Sequence, residues 1–134
     1  MVEHFGGELG VLSYPMHGKP SSIVLTPRGK EEEDGGRGGI FVGLPDTFEV
    51  ARYHSLYGIK DKIPSCLEVT AVSEEGIVMA IQHSTLPYAA VQFHPESILT
   101  YPANGMGILR NALTYLRYAD DDNDDDDEDA AGGE

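Results

Sequence analysis

A chain of 134 residues fits a single domain of ordinary size, long enough to bury a true core. Its formal charge of −14 is local: Asp120 to Asp129 holds nine acids in ten positions, and with these and Glu134 set aside 13 acids face 9 Lys and Arg, leaving residues 1 to 119 at about −4. Composition therefore gives no electrostatic case for nucleic acid, the lone Cys66 excludes an internal disulfide or a CxxC site, and no apolar run nears the roughly 18 to 20 residues of a membrane helix.

The first twelve residues, "MVEHFGGELGVL", open on what reads as the last turn of a helix, closed by Gly6-Gly7 and followed by a strand. They have neither the basic-then-apolar order of a signal peptide nor the Arg-rich character of a transit peptide. The expected protein is soluble and intracellular, cytoplasmic in the first instance, with an organelle left open. A domain that starts inside a helix is also expected to have lost a segment upstream. Residues 21 to 26, "SSIVLT", form a β-prone run, and 27 to 39, "PRGKEEEDGGRGG", read as a flexible charged loop, too poor in apolar surface to offset its ordering entropy.

Beyond it, Phe48, Val50 and Arg52 alternate with Glu49, Ala51 and Tyr53, a strand pattern running into the polar corner His54-Ser55. "CLEVTAVS" (66 to 73) and "IVMAIQHS" (77 to 84) flank "EEG", a hairpin signal with glycine in the turn. "YAAVQF" (88 to 93) follows as a third strand whose continuous apolar character implies burial on both faces. Ile108, Leu109, Ala112, Leu113 and Leu116 then fall at helical spacing, with Asn104 as the expected N-cap. One domain over 1–118 and a disordered acidic tail over 119–134 complete the reading.

The chemistry is concentrated in "VQFHPESIL" (91 to 99). In an extended segment residues i and i+2 point to one side, which would bring His94 and Glu96 within hydrogen-bond reach. A carboxylate that accepts from one ring nitrogen sets the tautomer and leaves the other nitrogen as a base, the arrangement that activates a Ser or Cys nucleophile. Pro95 narrows the backbone choices of both neighbours. A histidine at a strand end, bonded to a nearby carboxylate for structure alone, fits the bare pattern as well.

Three segments in order carry a wider resemblance: "MHGKPSSI" (16 to 23), "RYHSL" (52 to 56) and "AAVQFHPESIL" (89 to 99). Together they resemble class I glutamine amidotransferase domains, most closely the glutaminase components of anthranilate synthase, over residues 1 to about 118. The resemblance implies an α/β sandwich around a central, mostly parallel sheet, with the N-terminal strands absent. It implies His94 as general base and acid, Glu96 as its orienter, and Ser55 and Leu56 as binders of the glutamine backbone through main-chain atoms. The implied reaction is hydrolysis of L-glutamine by a cysteine thiolate, with ammonia passed to a chorismate-using synthase component, fused or separate. No cofactor or metal is implied in this domain, magnesium being expected only in the synthase partner. No nucleic acid or membrane is expected to bind. Aminodeoxychorismate synthase shares much of the pattern and is the alternative, as are a non-catalytic interaction module and one piece of a split enzyme.

The family nucleophile is a cysteine in a G-x-C-x-G elbow, where glycines relieve a strained turn. No stretch of the 134 residues matches it. Cys66, in "IPSCLEV", enters a strand and is read as an ordinary packed thiol. The glutaminase reading therefore expects the chain to be inactive alone. It also expects an uncovered sheet edge and core face. His54 and His17 are read as structural and His83 as exposed. A metal site from His54, His94 and Glu96 has no standard spacing, and Gly35 to Gly39 lack the rest of a phosphate loop.

Overall fold

In the computed structural model, residues 1–30, 39–97, 100 and 102–116 are described. Most of the charged loop and the acidic tail lie outside them, as do Arg117 and Tyr118, the last residues of the expected helix segment. Among these residues, seven strands and one helix follow in order: β1 (Leu9–Val11), β2 (Lys19–Leu25), β3 (Thr47–Arg52), β4 (Leu56–Gly58), β5 (Leu67–Ser73), β6 (Val78–His83), β7 (Ala89–Val91) and α1 (Pro102–Tyr115), with a short 3₁₀ turn at Lys60–Lys62.

The opening residues behave as the end of a helix should. Gly6 N–H donates to the Glu3 carbonyl at 3.0 Å and Gly7 N–H to that of Val2 at 2.9 Å, while Gly6 takes φ +94°. That pair of bonds around a left-handed glycine is the Schellman pattern, and it needs a residue without a β-carbon.

Five strands form one sheet in the order β3-β2-β5-β6-β7, and β1 pairs with β4 in a separate ribbon. Every pair among the described strands is antiparallel. The fold class is the expected α/β type, but the mostly parallel central sheet is not what these residues build. The reason lies in the connections: parallel neighbours need crossovers of a dozen or more residues, whereas β5, β6 and β7 are joined by turns of a few. At the β5–β6 turn, Gly76 takes φ +85°, as the "EEG" signal requires.

The sheet packs on both faces. On one, α1 and the 39–44 segment cover Ile23, Leu25, Phe48, Val50, Ala71, Met79 and Phe93, with Ile40, Phe41 and Ile108 supplying the cover. Each of these side chains larger than alanine contributes about 1.5 to 3 kcal/mol on removal from water. Asn111 pins that cover, its Nδ2 donating to the Ile40 and Val42 carbonyls at 2.9 and 2.8 Å. On the other face, Val2, Phe5, Ile63 and Cys66 pack against Leu67, Val78 and Ile81.

Three expectations are corrected. The strand buried on both faces is β6, where Val78 to Ile81 are all buried, whereas β7 is an edge strand and only half-buried. The difference is position: among the described residues β6 has a strand on either side and β7 has one. Asn104 lies within the first turn of α1 rather than capping it, because the helix starts at Pro102, a residue suited to a first turn since its missing N–H has no intrahelical partner. On that helix Ile108 is buried while Leu113 is 85% exposed, so the packed stripe is narrower than the apolar periodicity.

Candidate functional site

His94 follows Phe93, which bridges to Arg52 of β3 and buries its ring against Phe48 at a centroid distance of 6.5 Å. The main chain of His94 is held on both sides. Its N–H donates to the Ala51 carbonyl at 3.1 Å. Its carbonyl accepts from Ser97 N at 3.1 Å and from Thr100 Oγ1 at 2.6 Å. Thr100 is fully buried, and its Oγ1 also accepts from Ala51 N at 3.0 Å. One hydroxyl therefore ties the histidine to the strand beside it. The sequence marks Thr100 by nothing more than a small polar residue in an apolar context.

The Ser97–His94 bond closes a four-residue turn with Pro95 in its second position, a place that proline's fixed φ favours. The pairing of His94 with Glu96 thus arises from a turn, not from the extended backbone expected. The outcome is nevertheless the expected contact, with His94 Nδ1 and Glu96 Oε1 2.7 Å apart. Its own main-chain N–H and the His94 ring hold the Glu96 carboxyl below the ordinary glutamate value. Anionic Glu96 accepts from Nδ1, leaving Nε2 as the basic nitrogen. Gly105 of α1 lies against this turn so closely that a β-carbon there would collide with the Pro95 carbonyl.

Tyr53 forms the wall beside His94. Its ring stands edge-to-face on the imidazole, with centroids 5.0 Å apart and planes at 81°. Tyr53, His94, Glu96 and Ser97 line an open cleft. Behind Tyr53 lies Gly18, at φ +66°, where a β-carbon would sit 2.8 Å from the tyrosine ring. The "MHGK" segment backs this corner through main-chain bonds: Gly18 N to the Arg52 carbonyl at 2.8 Å and Met16 N to that of His54 at 2.9 Å. The side chain of His17 is exposed.

Ser55 and Leu56 are both exposed at the corner between β3 and β4. The Ser55 carbonyl accepts from Leu12 N at 2.7 Å. Leu56 stands opposite Val11, one step from that bonded pair, so its N–H and carbonyl face away from β1. The Leu56 carbonyl accepts from His54 Nδ1 at 2.8 Å. His54 is buried, and its Nε2 accepts from Arg52 Nε at 3.0 Å. Burial is the largest influence on His54 and pushes its pKa below 6.5. With both nitrogens committed within the protein, His54 has no lone pair to offer a metal beside His94. Among the described residues no group of three or more His, Cys, Asp or Glu could hold a metal ion, and no helix is long and apolar enough to cross a membrane.

His83 is buried, contrary to expectation. Its Nδ1 accepts from Leu86 N at 2.9 Å and Thr85 N at 3.1 Å, and its ring packs on Phe5 and Tyr88. It caps the turn after β6 through these local bonds, while the three-dimensional return of residues 1 to 5 packs Phe5 on its ring. Cys66 is half-buried in the second cluster, among none of the residues lining the His94 cleft. A larger, mostly apolar cleft of about 420 Å³ opens beside β6 and β7, with Leu56 on its rim and Val78, Ile81 and Ala90 in its wall. Among the described residues that line it, Glu3 carries the one acidic side chain and there is no Lys, Arg or His.

Comparison with known proteins converges on one family. The family model for class-I glutamine amidotransferases matches residues 1–115. The chain is 44% identical to an anthranilate synthase of Azospirillum brasilense, covering 87% of this chain and 15% of that protein. It is 42% identical to anthranilate synthase component 2 of Mycobacterium tuberculosis, over 87% of this chain and 45% of the relative. It is 43% identical to the aminodeoxychorismate/anthranilate synthase component 2 of Bacillus subtilis, over 87% and 54%. The chain thus spans about half the length, or less, of these relatives. Among solved structures, a candidate GMP synthase protein from Thermoplasma acidophilum superposes with a TM-score of 0.70 at 27% identity, covering 86% of this chain and 51% of that one. A glutamine amidotransferase from Thermotoga maritima shares the fold, with a TM-score of 0.61 at 13% identity and coverage of 86% and 56%.

Proposed function

The chain belongs to the class-I glutamine amidotransferase family, and we propose that it supplies the acid–base and substrate-loop half of the glutaminase component of an anthranilate synthase. The observation that carries the reading is the 2.7 Å contact between His94 Nδ1 and Glu96 Oε1 at the mouth of an open cleft.

In this mechanism Nε2 of His94 takes the proton from a cysteine thiol, and the thiolate attacks the side-chain amide carbon of L-glutamine. The same nitrogen returns the proton to the leaving amine, so that ammonia departs and a glutamyl thioester remains. His94 then removes a proton from the water that cleaves the thioester, releasing glutamate and restoring the thiol. Glu96 holds the ring in the required tautomer throughout. Leu56 N–H and the neighbouring main chain receive the backbone groups of glutamine. Ammonia passes to a chorismate-using component. Cys66 is not the nucleophile: it lacks the glycine elbow and packs away from His94. The thiol comes from a cysteine outside residues 1–134, and these residues alone release no ammonia.

The test is isotopic. The protein, assembled with a cysteine-bearing amidotransferase segment and a chorismate-using component, is given glutamine labelled with ¹⁵N in its side-chain amide. Label in anthranilate is the expected result, and unlabelled product or no ammonia release would overturn the reading. Label in aminodeoxychorismate would instead select the second reading, which the double name of the Bacillus subtilis relative favours.

A further inference from the structure

Arg52 is the bulkiest fully buried side chain among the described residues. Removing a guanidinium from water is costly unless its donors are matched, so its bonds indicate what it does there. Nε donates to His54 Nε2 at 3.0 Å. One terminal nitrogen donates to Ser21 Oγ at 3.2 Å and to Glu75 Oε2 at 3.3 Å. Glu75 belongs to the β5–β6 turn and also accepts from Ser73 Oγ at 3.1 Å, while Ser73 Oγ accepts from Ile77 N at 3.1 Å. A continuous line of bonds therefore runs from the hairpin turn, through Arg52 and His54, to the Leu56 carbonyl.

The direction of that line follows from proton inventory. Arginine has only donors, so the His54 nitrogen facing it must accept. The ring proton is thereby forced onto Nδ1, which donates to Leu56 at 2.8 Å. Leu56 carries its carbonyl and N–H on the same outward edge of β4. Occupying the carbonyl leaves the N–H as the group that this edge offers.

We propose that Arg52 and His54 are positioning residues for the substrate loop: they lock the Leu56 carbonyl so that the edge presents its N–H to glutamine. The assignment rests on the reading of Ser55-Leu56 as the glutamine loop. Neither residue touches the reacting atoms, so their loss acts on substrate binding and leaves the chemical step nearly intact.

Two measurements test it. Ring ¹⁵N spectra of the unsubstituted full chain should show His54 protonated on Nδ1 and unprotonated on Nε2 at neutral pH; the opposite tautomer would overturn the lock. In the assembled enzyme, His54→Gln keeps a polar group near Nε2 but loses the donor at Nδ1, and should raise KM for glutamine about tenfold with kcat within about threefold. His54→Asn places its amide near Nδ1 and should restore KM to within about threefold of the original. Equal KM values for the two variants, or a loss confined to kcat, would overturn the positioning role even if the tautomer is as stated. An unsubstituted assembled enzyme with the stated tautomer but no glutamine turnover would overturn the glutaminase reading instead, and with it the substrate role of the lock.

Discussion

Two histidines sit at neighbouring corners of this molecule, and each has Nδ1 tied to an oxygen, yet they are suited to opposite tasks. His54 is buried, donates to a main-chain carbonyl and has its second nitrogen filled by Arg52. His94 is partly exposed, pairs with a carboxylate and turns toward a cleft with its second nitrogen available. The lesson concerns the partner. A neutral carbonyl and a cation commit both nitrogens and make a lock, whereas a single anion orients the ring and leaves it basic. Identical side chains diverge because the corner after β3 buries one and the turn after β7 carries the other to the surface.

The sharpest way to break this contrast is to remove each side chain in turn. His94→Ala should lower kcat of the assembled glutaminase by about 10²- to 10⁴-fold, the range for loss of a positioned acid–base group, while changing stability by no more than about 1 kcal/mol, since its side chain is half-exposed and loses only the contacts with Tyr53 and Glu96. Unchanged turnover would remove His94 from the catalytic role. Arg52→Met should do the reverse at the buried corner, costing about 1 to 3 kcal/mol in chemical denaturation because buried His54 Nε2 loses its donor, while Glu75, 65% exposed, stays solvated. A loss below about 1 kcal/mol would show that the buried guanidinium is dispensable to the corner.

Between the two lies Thr100, which bonds to both Ala51 and His94. Thr100→Val keeps the shape but strands a buried N–H, and should cost about 1 to 3 kcal/mol. A neutral result would mean that the His94 turn is held by the remaining main-chain bonds alone.

Acidity distinguishes the corners more gently. His54 has a native pKa depressed by burial, so its contribution to stability is complete above 6.5 and is lost as pH falls from there through the lower native value. Denaturation midpoints at pH 7.5 and pH 5 should therefore differ in favour of the higher pH, with the difference removed in His54→Asn. Glu96 is shifted the same way by its own N–H and by its bond to His94. Its favourable contribution is present above 4.5 and disappears as pH falls through the native value. A carboxyl ¹³C titration should place that midpoint below 4.5, and an ordinary value would mean that the contact with His94 is not maintained in solution.

Local signals in this chain predict local structure well. The "EEG" turn required only a short connection and a glycine free to take φ +85°, and the alternation from Phe48 to Arg52 is a two-residue period that survives in any sheet. His94 and Glu96 are legible because two positions separate them, and every compact backbone route through Pro95 keeps them close. His83 defeats a local reading for the opposite reason. Its burial depends on Phe5, 78 residues earlier, folding over it. The expected double burial of 88 to 93 fails similarly, since an apolar run does not state how many strands will flank it.

The sequence by itself determined the hairpin, the presence of the helix, the His94–Glu96 pair and the family to which they belong, all properties carried by near neighbours or by contiguous motifs. Tertiary structure decided the rest: the antiparallel order of the sheet, the edge position of β7, the tie from Thr100 to β3 and the lock from Glu75 through Arg52 to Leu56. Each of those joins residues more than a dozen positions apart or depends on which strand becomes whose neighbour. Such contacts form only when burial of both sheet faces offsets the entropy of closing long loops, and no local pattern encodes that outcome.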